Sequence, residues 1–240
     1  RILCSAFQVA VDDDDENILL KNPFDFKMPK IDPNHKPQKR DVVDKDHLKK
    51  LLDYCLERKI YNKWYYVIII LLGTGLRISE FLGLTFDDID FDGNTISVNH
   101  QVNCYYNIRG TYSRAKDNDL TVNPPKTASG ERFVAMRPEV KESILWLMNN
   151  RPQVDELEVD GHKGFVLINR NGVPYNADTV DARFRQMIDN HNKKYPNDQI
   201  PRFTPHCLRH TFCTDMVYRG MNVKNRRSEE RRVGKEGRSR

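Results

Sequence analysis

The chain has 240 residues, 38% of them hydrophobic, and a net charge of +5; this suffices for one ordinary domain or somewhat more. Its longest apolar run, Trp64 to Leu72, is far too short to span a bilayer, so no membrane partner is expected. The charge itself says little about a polyanionic partner: residues 226–240 hold six Arg, one Lys and three Glu, and without them 32 basic residues face 31 acidic ones.

Residues 1 to about 11 carry a helical apolar rhythm without an N-cap, and Asp12 to Glu16 form an acidic run. Residues 23–40 contain Pro23, Pro29, Pro33 and Pro37 and read as a linker. A second domain is expected to begin near Asp41, with helices over Asp46 to Arg58 and Tyr61 to Leu72. Within the latter, Val67 to Leu72 is apolar enough to be a buried strand or a buried helix, and periodicity does not arbitrate. Asn94 to Asn103 alternates as a strand, and Cys104 to Leu120 is polar and aromatic, like a hairpin arm with a long excursion. A turn at Ala128-Ser129-Gly130 leads to a short strand from Arg132 to Met136. Pro138 to Asn150 is a helix with proline in its first turn, Phe165 to Ile168 a short strand, and Ala177 to Lys193 a helix. Thr204 is a candidate N-cap for a last helix that opens on Pro205 and stops near Gly220. Helices, a small antiparallel sheet and more helices make an α+β domain. Residues 226–240 are almost devoid of apolar side chains and cannot add to a core. They read as an artefact of read-through or assembly, a genuine basic tail being the alternative.

Five cysteines (Cys4, Cys55, Cys104, Cys207 and Cys213) are odd in number and form no C-x-x-C pair, which favours reduced thiols in a cytosolic protein over a disulfide or zinc framework. The N-terminus lacks the charged and apolar pattern of a secretory leader.

Four proton-carrying or cationic residues draw attention. Arg77 follows a Gly-Thr-Gly turn and precedes Glu80 by three positions. Read plainly this is a local ion pair capping a helix; read functionally, Glu80 holds the guanidinium toward a ligand. Lys126 follows two prolines, where a hairpin loop would project it; alone it is an ordinary solvated lysine. His206 and Arg209 stand three apart, so on a helix they share one face near its N-terminus. An arginine there can grip two phosphate oxygens, and a histidine can shuttle a proton near neutral pH. Alone, that pair also fits a structural polar contact.

Two other patterns are weaker. Val67 to Ile78 could be a strand followed by G-x-G of a dinucleotide fold, but Ile78 stands where the third glycine belongs. Asp88-Ile-Asp90-Phe-Asp92-Gly93 begins like a calcium loop, but Asn99 occupies the twelfth position, and a polar helix-to-strand turn is the better reading.

In combination, Leu71-Gly-Thr-Gly-Leu-Arg-Ile-Ser-Glu80, Lys126 and Thr204-Pro-His-Cys-Leu-Arg-His210 resemble the tyrosine recombinase (phage integrase) family, with wording nearest to the integrases of conjugative transposons. The resemblance implies a mainly helical catalytic domain with a small antiparallel sheet over residues 41–225, preceded in residues 1–22 by the last helix of a core-binding domain. It implies that Arg77 and Arg209 neutralise the scissile phosphate, that Lys126 protonates the departing 5′ oxygen, and that His206 serves in acid–base transfer. Glu80 would support Arg77, and His210 matches the motif with a less defined role. No metal or nucleotide cofactor is implied. The partners would be double-stranded DNA attachment sites and, for the whole protein, other recombinase protomers in a synaptic tetramer, in the bacterial cytoplasm.

The family attacks DNA with a tyrosine on a segment that has no counterpart after Asn225. Tyr218 lies nine residues past Arg209, about 900° of helical rotation or roughly half a turn away, and reads as a packing residue. The 240-residue polypeptide is therefore expected to be unable to form the covalent intermediate, with a catalytically dead DNA-binding fragment as the alternative function. An unrelated α+β protein is the third reading, and it would fail to bring the four residues to one face.

Overall fold

A computed structural model of the chain describes residues 42–104, 120–125 and 130–220. The expectations for residues 1–41 and 226–240, for the 105–119 excursion and for Lys126 lie outside them.

Helix α1, Lys45–Glu57, starts where the Asp44 carboxylate accepts the backbone N–H of Asp46 at 2.9 Å, replacing one of the partners a first turn lacks. Helix α2, Asn62–Thr74, takes in the ambiguous Val67 to Leu72 run as helix. Its thirteen residues exceed a usual strand, and Trp64, Val67, Ile68, Ile70 and Leu71 are all buried. Around Trp64, the rings of Tyr175 and Phe184 pack edge-on at 5.6 and 6.4 Å. Burying each side chain of this size contributes about 1.5–3 kcal/mol. Gly75 ends α2 in the left-handed conformation, φ 62°, and returns its N–H to the Leu71 carbonyl.

The short helix α3, Ile78–Gly83, follows, then a 3₁₀ turn at Phe86–Asp88. Strands β1 (Ile89–Asp90), β2 (Thr95–Val98) and β5 (Arg132–Ala135) form an antiparallel sheet in the order β1-β2-β5, with Val98 opposite Arg132 and Ile96 opposite Val134. Strands β3 (Gln101–Cys104) and β4 (Leu120–Asn123) form a separate antiparallel pair. The single strand expected over Asn94 to Asn103 is thus two strands in two sheets. The break falls at His100, which turns inward to the Gly83 carbonyl at 2.6 Å and lies 3.5 Å from the buried Asp88. The Asp88 to Gly93 segment is the polar turn: Asp90 Oδ1 accepts the backbone N–H groups of Asp92 and Gly93.

Helix α4, Pro138–Asn149, packs on α2. The strand expected over Phe165 to Ile168 is not part of a ladder. Isolated bridges, Thr85 to Phe165 and Ile168 to Pro174, fasten that segment instead, because its partner is the turn after α3 and not a sheet edge. Helix α5, Ala177–Lys194, is capped by the Asn176 side chain. Helix α6, Pro205–Tyr218, begins with proline as expected, but Thr204 does not cap it by hydrogen bond; its hydroxyl lies 3.5 Å from the Cys207 sulfur. Thr211 of α6 accepts the backbone N–H of Val43 at 3.0 Å, across 168 positions of sequence.

Cys55, Cys207 and Cys213 are thiols, and burial pushes Cys55 up to about 12. Among the described residues no helix is long and apolar enough to cross a membrane.

Candidate active site

The site is built where the end of α2 meets α6. The Gly-Thr-Gly turn has a distinct task for its last two residues. Thr74 is buried, and its hydroxyl is satisfied by the Ile70 carbonyl at 2.6 Å. Gly75 needs its positive φ and also its missing side chain, because a Cβ there would stand 2.1 Å from the ring of Phe212 on α6. The freed Gly75 carbonyl accepts a hydrogen bond from Arg209 Nη1. The turn that places Arg77 is therefore fastened directly to the helix that carries Arg209 and His206.

Arg77 is the N-cap of α3, with extended backbone (φ −69°, ψ 150°). Glu80, in the first turn, folds back so that Oε2 accepts the Arg77 backbone N–H at 2.8 Å while Oε1 accepts Arg77 Nη1 at 2.6 Å. The arginine side chain remains 54% exposed and the glutamate side chain only 4%. Arg209 is the intermediate case, 15% exposed, with Nη1 3.9 Å from Glu80 Oε2. Beyond these contacts, Nε and Nη2 of both arginines have no hydrogen-bond partner among the described residues.

A third arginine joins them. Arg132 on β5 donates Nη2 to Glu80 Oε2 at 2.7 Å and Nη1 to Oε1 at 3.2 Å, and Nη1 also reaches the Gly130 carbonyl at 3.1 Å. Burial alone would raise the Glu80 carboxyl. The bond from Arg132, the Arg77 backbone N–H, the charge of Arg132 and the Arg77 side-chain bond outweigh it and bring the group down to about 2. Burial, and next the neighbouring Arg77 charge, lowers Arg209 from its ordinary value, although a guanidinium stays charged.

His206 lies exposed in the first turn of α6, one turn before Arg209, with its ring edge-on to His210 at 4.5 Å between centroids. The structure thus brings Arg77, Glu80 and Arg209 together and sets His206 and His210 on the same helix as Arg209. Tyr218 departs from expectation. It is 86% exposed at the end of α6, not packed into the core.

Arg132 is the residue that sequence reading missed. Its signal was present in the strand itself: it shares the core-facing register with Val134 and stands opposite the buried Val98. A cation on the inward face of a strand demands a buried partner.

A mainly helical domain with a small antiparallel sheet, in which arginines from two helices meet around one buried glutamate, defines the catalytic domain of a tyrosine recombinase. Residues 41–225 match the phage integrase family, and the chain belongs to that family. It is 37% identical over 225 residues to the transposase from transposon Tn916 of Enterococcus faecalis, a match covering 93% of this chain and 52% of that protein. A XerC-like tyrosine recombinase of Caldanaerobacter subterraneus is 26% identical over 233 residues, 93% of this chain and 55% of that one. A structure of the Tn1549 transposon integrase in complex with circular intermediate DNA aligns with a TM-score of 0.75 at 32% identity, covering 93% of this chain and 66% of that one. A lambda integrase dimer bound to a core site shares the fold, with a TM-score of 0.52 at 14% identity over 91% of this chain and 64% of that one. The chain spans about half the length of the curated relatives it matches.

Proposed function

We propose that this chain is the catalytic region of a mobile-element integrase, which cuts and rejoins double-stranded DNA at attachment sites through a 3′-phosphotyrosyl link in the bacterial cytoplasm. The observation that carries this reading is the pair Arg77 and Arg209: Arg77 is hydrogen-bonded to one buried glutamate and Arg209, anchored on the Gly75 carbonyl, lies 3.9 Å from it, with their remaining donors unengaged among the described residues. Such a pair suits the two non-bridging oxygens of a phosphodiester, whose charge grows in the transition state. The DNA-bound integrase structures and the transposase relatives support the choice of partner.

In the proposed step a tyrosine hydroxyl passes its proton to His206 as its oxygen attacks the phosphorus, and the 5′ oxygen leaves, taking a proton from Lys126. Reversal by a different 5′ hydroxyl reseals the strand and releases the tyrosine. His206 transfers protons beside the phosphate. Glu80 supports Arg77, and His210 backs the His206 ring. Lys126 enters through the family motif alone. Tyr218 is not assigned as the nucleophile, and a synaptic tetramer is assigned to the whole protein only.

A nicked suicide duplex carrying the joined ends of the mobile element, resolved on a denaturing gel, tests this. A chain extended by the family's tyrosine-bearing segment should form a protein–DNA adduct, and the 240-residue polypeptide should form none. An adduct from the 240 residues alone would overturn the assignment of the nucleophile; none from the extended chain would overturn the recombinase reading.

A further inference from the structure

Glu80 presents two oxygens with about four acceptor positions between them. Four donors fill them: the Arg77 backbone N–H, Arg77 Nη1, Arg132 Nη1 and Arg132 Nη2. Arg209 Nη1 waits at 3.9 Å from Oε2, beyond hydrogen-bond range. We propose that Arg132 is a positioning residue for the phosphate clamp, one that saturates Glu80 and thereby keeps Arg209 from closing onto it. The inference rests on the recombinase reading above.

Arg132 does not itself bind the phosphate. Its two Nη groups are committed to Glu80, with Nη1 shared by Gly130, and its side chain is 24% exposed against 54% for Arg77. If Arg132 is removed, half the acceptor positions of a buried carboxylate fall vacant, and a buried charge left without partners is strongly disfavoured. Among the described residues, the next cation within reach is Arg209, 3.9 Å from Oε2. Its shift of about one ångström would turn a guanidinium edge from the phosphate toward Glu80. The same loss would free the carboxylate to rotate and take Arg77 with it. A lysine at 132 keeps the charge but has no fork with which to occupy both oxygens together, so it should only partly prevent the collapse.

The test uses the 240-residue polypeptide labelled with ¹⁵N-arginine, titrated with inorganic phosphate at pH 7 while the Nε–H signals of Arg77 and Arg209 are followed. Before phosphate is added, Arg132→Gln should already shift the Arg209 side-chain signal, a response that a merely structural role would not give. Its phosphate dissociation constant should rise about tenfold, with Arg132→Lys intermediate in both readouts. Circular dichroism checks folding; should the glutamine variant unfold, the lysine variant carries the same comparison. Arg77→Ala and Arg209→Ala provide the reference for a lost clamp. If Arg209→Ala weakens phosphate binding while a folded Arg132 variant binds like the parent with an unmoved Arg209 signal, the positioning role falls and the recombinase reading stands. If neither Arg77→Ala nor Arg209→Ala affects phosphate, the clamp reading falls and this inference with it.

Discussion

Arg209 donates Nη1 to the carbonyl of Gly75, so a phosphate-binding candidate on α6 is hydrogen-bonded to the turn that delivers the other one. The same glycine lies against the ring of Phe212 with no room for a side chain. Two parts of the site distant in sequence are thereby set by one residue.

Replacing Gly75 by alanine should therefore destabilise the domain. A left-handed alanine costs about 1–2 kcal/mol, and forcing a methyl into a packed contact adds roughly 1–3 kcal/mol. Urea unfolding should show a total loss of about 3 kcal/mol. Combining the change with Phe212→Ala should recover part of it, and strict additivity of the two losses would contradict the clash.

Stability should fall in acid through Glu80. Its folded carboxyl is depressed to about 2 from an ordinary value of 4.5, so the stabilisation is complete above the unfolded value. It declines as pH drops below about 5 and is spent near pH 2. A shift of this size corresponds to about 3 kcal/mol at neutral pH. Urea midpoints from pH 7 to pH 2.5 should show the decline, and Glu80→Gln should flatten it; an equally steep decline in that variant would assign the effect elsewhere.

Arg209→Lys in the tyrosine-extended chain should lower adduct formation by roughly 10²–10³-fold, the usual loss for one transition-state donor. Retention of the duplex in a gel-shift assay should barely change, because distributed phosphate contacts supply most of the affinity. Parallel loss of both would argue against a role in the chemical step.

His206 is exposed at the start of α6. His206→Gln should leave the unfolding free energy within about 0.5 kcal/mol of the parent while slowing adduct formation by roughly 10²-fold or more. A variant as fast as the parent would remove His206 from the mechanism.

Much of this site was legible because its parts are local. Arg77 and Glu80 are three apart, His206 and Arg209 likewise, and helical spacing brings such pairs onto one face. Pro205 marked the start of α6 for a similarly local reason. Arg132 escaped because its partner lies 52 positions away, and pairing across that distance depends on the β2–β5 register. The strand break at His100 escaped for the same kind of reason: the alternation of Asn94 to Asn103 is real, but the Gly83 carbonyl that draws His100 inward belongs to another element. Tyr218 differs because half a helical turn from Arg209 places it off that face without placing it in the core, and its side chain is exposed.

The hydrogen bond from Val43 to Thr211 has a mechanical meaning. The point at which the chain enters the domain is tethered to the middle of α6, between the turn bearing His206 and Arg209 and the end bearing Tyr218. The start of α1 and the helix that carries His206 and Arg209 thus share one hydrogen bond, so a disturbance at either is felt at the other.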